Sequence, residues 1–156
     1  MSAEVGKPAP PFTLPGSDNT DAGRRDYSLD DYRGQVVLLV FYPGDATPVC
    51  TRQLNAYTED IDSFTEAGAQ VLALSPQSIQ SHDDFSCKQG GFGFPLLADT
   101  DKAVGEAYGI LGPLGFYRRS VFVIDAVGVV HYAHRAVAGL TFRSTDELVK
   151  AVKAAT

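Results

Sequence analysis

The stretch Val36-Val37-Leu38-Leu39-Val40-Phe41-Tyr42, halted by Pro43-Gly44 and followed by Asp45-Ala46-Thr47-Pro48-Val49-Cys50, decides the fold class. An unbroken apolar run rich in β-branched and aromatic residues, with no polar alternation, predicts a strand buried on both faces at the centre of a sheet. Pro43 and Gly44 stop it. Thr47 then occupies a helix N-cap position with Pro48 at the first helical residue, where a missing N–H costs nothing. Leu54, Tyr57, Ile61 and Phe64 recur at steps of 3, 4 and 3, so the spacing predicts a helix from Pro48 to about Ala67, ended by Gly68.

Downstream, Val71 to Leu74 reads as a second buried strand closed by Ser75-Pro76, and a helix is expected from about Ser78 to Gln89, stopped by Gly90-Gly91. Phe94 to Leu97, a short helix near Ala103 to Tyr108, and alternating strands at Ser120 to Ile124 and Val129 to Ala133 around a tight turn follow. Ser144 and Glu147 form a capping-box pattern at the start of a last helix to Ala155. Upstream, Pro8, Pro10, Pro11 and Pro15 leave room only for a short extended piece at Phe12 to Leu14, and Gly16 to Asp26 reads as a polar loop. The order predicts an α/β fold, a mixed central sheet with helices on both faces, and one domain over residues 1–156.

Composition narrows the function. The chain has 156 residues with 13 basic and 19 acidic side chains, a net charge of −6, and is 44% hydrophobic and 21% charged. Those values describe an ordinary globular chain rather than a disordered, collagenous or coiled-coil one. The acidic balance argues against nucleic acid as a partner. The longest apolar run falls far short of the roughly 20 residues that span a bilayer, so no membrane role is expected. MSAEVGKPAPPF lacks the apolar core of a secretory leader, which makes a cytoplasmic, reducing setting the expectation. The 2 cysteines are too few for a disulfide scaffold, so each is either reactive or merely buried.

Cys50 sits in the first turn of a predicted helix just past a buried strand. Backbone N–H groups there lack intrahelical partners and carry partial positive charge, which favours thiolate over thiol. Thr47 can turn its hydroxyl toward the cysteine or toward a bound oxygen ligand. Pro43 and Pro48 stiffen the loop and help shape a small pocket with limited access for water. A buried structural cysteine is the bland alternative, and the helix-start placement argues for reactivity.

Pro43-x-x-x-Thr47-x-x-Cys50, preceded by Phe41-Tyr42, resembles the peroxiredoxin active-site pattern, and FYPGDATPVCT is most similar to the bacterioferritin-comigratory, PrxQ-like branch. The likeness extends from Gly6-Lys7-Pro8-Ala9-Pro10-Pro11-Phe12-Thr13-Leu14, through Phe94-Pro95-Leu96-Leu97-Ala98-Asp99, to Arg119-Ser120-Val121-Phe122-Val123-Ile124-Asp125. It implies a thioredoxin-like fold and thiol-dependent reduction of hydrogen peroxide or organic hydroperoxides. By position, it implies that Cys50 is the peroxidatic cysteine, Thr47 the hydroxyl that orients the peroxide, Pro43 the residue that shields the thiolate and Arg119 the cation opposite the sulfur. Strand alternation puts Arg119, Val121 and Val123 on one face and Arg118, Ser120, Phe122 and Ile124 on the other, so only one of the two arginines can face Cys50; Arg118 reads as an exposed strand-end charge.

Cys87 lies 37 residues after Cys50, on the helix where some PrxQ-like proteins carry a resolving cysteine; others place it five residues after the peroxidatic one, which here is Asn55. Helical spacing turns Cys87 off the apolar face that Phe85 defines. A disulfide needs Cα atoms within roughly 7 Å, so pairing two helices would require local unwinding. The resemblance also implies thioredoxin or a similar thiol as reductant and a monomer or homodimer. Two alternatives stay open: a one-cysteine peroxidase with an external thiol reductant, and a redox sensor that does not turn over. Gln53 stands where PrxQ-like sequences usually carry glutamate, keeping the hydrogen bonding and dropping the charge. His131 and His134 fall on opposite sides of a strand, against a shared metal site, and His82 beside Asp83 and Asp84 reads as a solvated helix face. No cofactor is implied, because sulfur itself carries the redox chemistry.

Overall fold

A computed structural model describes residues 3–18, 24–45, 47–136 and 142–156. Its strands are β1 (Thr13–Ser17), β2 (Arg25–Ser28), β3 (Val36–Phe41), β4 (Ala69–Ser75), β5 (Leu96–Ala98), β6 (Ser120–Ile124) and β7 (Val130–Arg135). They form a 7-stranded sheet in the order β2-β1-β5-β4-β3-β6-β7. The helices are α1 (Pro48–Glu59), α2 (Ile61–Glu66), α3 (Ile79–Lys88), α4 (Ala103–Ala107) and α5 (Thr145–Ala154). Parallel β3–β4 and β4–β5 pairs meet antiparallel β3–β6, β6–β7, β1–β5 and β1–β2 pairs, so the sheet is mixed as the element order predicts.

The apolar run at Val36 fills the centre of this sheet because every one of its side chains has a core to enter. Val36, Leu38 and Val40 pack into one core with Leu54 and Tyr57 of α1, Phe64 of α2, Phe85 of α3 and Leu148 and Val152 of α5. Val37, Leu39 and Phe41 enter the opposite core with Phe122, Ile124, Tyr108 and Val104 of α4. The β6 alternation holds as well, with Val121 and Val123 on the first side and Phe122 and Ile124 on the second. Asp99, just past β5, is fully buried and accepts from the N–H groups of Val104 at 3.2 Å and Gly105 at 2.8 Å and from the Tyr117 hydroxyl, which anchors α4 to the sheet.

Three elements differ from the sequence reading. The helix expected from Pro48 to Ala67 is two, because Asp60 leaves helical geometry at φ −101 and ψ 16 and its carbonyl accepts from Ser63 N–H at 2.9 Å, starting α2 afresh. Aspartate favours such termini by competing locally with the helix backbone. The loop expected from Gly16 to Asp26 contains strand: β1 reaches Ser17 and β2 returns beside it. Only Tyr27 of β2 is buried, so no alternation marked it. Gly16 permits the pairing, since a Cβ there would lie 2.8 Å from the Tyr27 ring. In α5 the Ser144 hydroxyl accepts from Glu147 N–H at 3.2 Å, while the Glu147 carboxylate takes the Tyr132 hydroxyl instead of closing the box.

Candidate active site

The β3–β6 register pairs Phe41 with Ser120, so Arg119, one residue earlier on its strand, lies beside the end of β3 from which the loop to α1 departs. That loop delivers Cys50 as the third residue of α1, fully buried at 0% exposure. Arg119 is 4% exposed and points Nη2 at Cys50 Sγ across 3.1 Å. The other fork of the guanidinium, Nη1, donates to Gln53 Oε1. Gln53 Nε2 reaches the Tyr57 hydroxyl at 3.5 Å, and that hydroxyl donates to the Arg143 carbonyl at 2.7 Å. Burial pushes the Tyr57 phenol up to about 12, against the lowering influence of Gln53 and Arg119, so it remains a donor across the physiological range.

The first turn of α1 carries no acidic side chain, so nothing on that turn offsets the partial positive charge of the helix start. Gln53 is neutral and orients the guanidinium without absorbing its charge. A sulfur thus faces a fixed cation and a helix N-terminus in a site without water contact, where such interactions are strongest.

Thr47 occupies the N-cap position by its backbone, but its hydroxyl does not cap the helix; it donates to the Gly44 carbonyl at 3.1 Å. The helix instead uses the Thr47 carbonyl, which accepts from Thr51 N–H at 2.9 Å. With its proton committed, the exposed Thr47 hydroxyl has lone pairs left for a donor from solvent or substrate. Pro43 is half-buried at the start of the same loop. Arg118 is half-buried rather than exposed, because its Nε donates to the Ala136 carbonyl at 3.1 Å. Cys87 is exposed near the end of α3, and both cysteines are free thiols. The structure therefore joins Cys50 and Arg119 directly, puts Thr47 and Pro43 on the loop that leads to them, and leaves Cys87 apart on a neighbouring helix.

His82 is a correction. It is 0% exposed, not part of a solvated face. Its spacing to Phe85 and Ser86, also buried, puts it on the inward side of α3, whereas Asp84 is exposed and Asp83 pairs with Arg24. The run of charges after it hid that periodicity. His82 Nδ1 lies 2.8 Å from Asp45 Oδ2, and Asp45 Oδ1 accepts from the Tyr42 hydroxyl at 2.7 Å. Burial opposes the Asp45 charge, but the hydrogen bonds from His82, Tyr42 and Ser81 outweigh it and hold the carboxyl below its usual range. His131 is exposed and bound to Asp125 at 2.8 Å, away from His134. Among the described residues no cluster could hold a metal ion, and no helix is long and apolar enough to cross a membrane.

Residues 5–133 match the model of the AhpC/TSA family. The chain is 39% identical over 137 residues to a putative peroxiredoxin bcp of Coxiella burnetii, covering 83% of this chain and 87% of that protein. It is 38% identical over 161 residues to peroxiredoxin-2 of Rattus norvegicus, covering 98% and 79% respectively. The solved structure of peroxiredoxin Q from Xanthomonas campestris superposes with a TM-score of 0.79 at 32% identity, over 92% of this chain and 90% of that one.

Proposed function

We propose, for a chain that belongs to the AhpC/TSA family and is a thioredoxin-fold peroxiredoxin of PrxQ-like type, a thiol-dependent peroxidase, that Cys50 is the sulfur that attacks the hydroperoxide. The observation that carries this is the 3.1 Å approach of Arg119 Nη2 to the fully buried Cys50 Sγ. The Cys50 thiolate donates an electron pair to one peroxide oxygen, the O–O bond breaks, and the other oxygen leaves with the bonding pair and takes a proton to depart as water or alcohol. Sulfur becomes a sulfenic acid. Arg119 stabilises the thiolate before attack and the charge that builds on the departing oxygen during it. Thr47, its proton on the Gly44 carbonyl, accepts from the peroxide O–H and orients it; Pro43 screens the thiolate from water.

Cys87 then resolves the sulfenic acid: its sulfur bonds to Cys50, the S–O bond breaks and water leaves. The hydrogen bond from Asn55 Nδ2 to Gln89 Oε1, 2.9 Å, supports this reading because it ties α1 to the chain two residues past Cys87. Asn55 is only about 7.5 Å along the axis from Cys50 at 1.5 Å per residue. A thioredoxin-type dithiol restores both thiols by exchange, a step that suits a reducing, cytoplasmic setting.

Intact-mass analysis after one equivalent of peroxide tests the cycle. Wild type is expected to lose two hydrogens, Cys87→Ser to gain oxygen at Cys50, and Cys50→Ser to consume no peroxide. Peroxide consumption by Cys50→Ser at the wild-type rate overturns the site.

A further inference from the structure

Asp45 lies five residues before Cys50, and His82 lies five residues before Cys87. The two are joined in the interior. His82 Nε2 faces the Leu97 carbonyl at 2.9 Å, an acceptor only, so that nitrogen carries a hydrogen. Nδ1 donates to Asp45 Oδ2 at 2.8 Å, and the same carboxylate accepts from Ser81 Oγ at 2.7 Å and from Tyr42. The Asp45 N–H donates to Gln77 Oε1 at 3.0 Å. The groups that bind the pair come from the end of β3, the first turn of α3 and β5; Cys87 sits near the far end of α3, and Cys50 on α1. Neither the attack on peroxide nor the reduction of the product needs this pair.

We propose that the Asp45–His82 pair is a fixed pivot from which the two cysteine-bearing segments swing together when Cys87 closes on oxidised Cys50. The proposal rests on the reading of Cys87 as the resolving thiol. Cys50 has no exposed surface and Cys87 stands in solvent, so the sulfurs meet only if chain moves. Two routes compete. Severing this buried carboxylate–imidazole pair strands the Asp45 charge without water, which is costly. Fraying the end of a helix exchanges a few backbone bonds for water and costs far less. Cys50 is in the first turn of α1 and Cys87 is the next-to-last residue of α3, so both lie where fraying is cheap.

Five residues unwound from a shared anchor reach at most about 17 Å, ample for two arms to bring their Cα atoms together. With the anchor intact, each sulfur stays inside the small volume swept by the other's arm, and the effective concentration of Cys87 is high. The pair is a positioning element for the second chemical step, acting through the cysteines without touching them.

Hydrogen exchange on the wild-type protein, reduced and after one equivalent of peroxide, tests the pivot directly. Amides of residues 51–54, which bond back to the first turn of α1, and of 86–88 are expected to lose protection in the disulfide form while those of 81–83 keep theirs. Loss of protection at 81–83 overturns the pivot and leaves Cys87 as the resolving thiol. Absence of any disulfide overturns both. His82→Gln and Asp45→Asn supply the kinetic arm: conversion of sulfenic acid to disulfide slows about tenfold, as expected for the loss of one charged hydrogen bond, with a matching rise in sulfinic acid under excess peroxide. First-turnover peroxide consumption changes much less. Equal slowing of both steps marks a merely structural pair and overturns the proposal, as does disulfide formation at the wild-type rate in both variants.

Discussion

The guanidinium of Arg119 donates from one fork to the Cys50 sulfur and from the other to the Gln53 amide, both fully buried, and these two bonds help fix it against the sulfur. Removing a donor of that kind from a reacting centre costs about 10²–10³ in rate. Arg119→Ala is expected to show that loss in the rate constant for hydrogen peroxide, and Arg119→Lys to recover part of it, because an ammonium supplies charge without the planar fork. A wild-type rate in the alanine variant removes Arg119 from the mechanism. Tyr57→Phe probes the outer end of the same chain: it deprives the Arg143 carbonyl of its donor and Gln53 of its support, with an expected loss of about 1–3 kcal/mol in denaturant unfolding. Cys50 is legible as a reactive-thiol candidate from its helix-start pattern; Arg119 enters through the family resemblance, and strand alternation says only that one of the two arginines can face Cys50. Tyr57 was legible only as an apolar step in a helix, since periodicity reports which face a residue is on and not what its hydroxyl finds there. His82 was misread for a related reason: its charged neighbours in sequence point elsewhere in space.

Two helix starts use a hydroxyl side chain differently. At α5 the Ser144 hydroxyl caps the Glu147 N–H, whereas at α1 the Thr47 hydroxyl ignores the helix and bonds back to Gly44. Ser144→Ala is therefore expected to cost about 1 kcal/mol of stability and leave the peroxide rate unchanged. Thr47→Val removes one ordinary hydrogen bond, also about 1 kcal/mol, but should slow the peroxide reaction about tenfold as the substrate loses its acceptor. Urea melts beside stopped-flow rates separate the two; a Thr47→Val protein that reacts normally would show the hydroxyl to be structural. Both N-caps are readable from sequence by position, and the Ser144–Glu147 pattern also gives that hydroxyl's direction; the direction of the Thr47 hydroxyl is not readable, because it depends on where the preceding loop runs. The break at Asp60 escaped notice because apolar residues stay in phase across it: Tyr57 and Phe64 enter the same core from two helices.

At the scale of the whole molecule, the continuous runs of β3 and β4 reveal a sheet buried on both faces, β6, read as alternating, proves buried throughout, and the β1–β2 edge, held largely by backbone pairing, leaves little trace in the side-chain pattern. Two titratable groups beside this sheet, His134 and Asp45, shape the response to acid. Burial, with Arg143 adding to it, holds the half-buried His134 below its ordinary 6.5. As pH falls, the unfolded chain protonates this histidine first, so stability contributed by His134 is present above about 6.5 and is lost as pH falls through the folded value. Asp45 is likewise depressed below the ordinary 3.8, so its contribution is present above that value and lost as pH falls through its lower folded one. Two windows of acid loss result, one on the acid side of neutrality and one below about pH 4. Urea midpoints measured against pH for wild type, His134→Gln and Asp45→Asn assign them: the difference between wild type and His134→Gln should shrink as pH drops from about 7 to 5, and that between wild type and Asp45→Asn should shrink only below about 4. A wild-type advantage over His134→Gln that grows on acidification would reverse the sign of the argument and show that the folded protein prefers this ring charged.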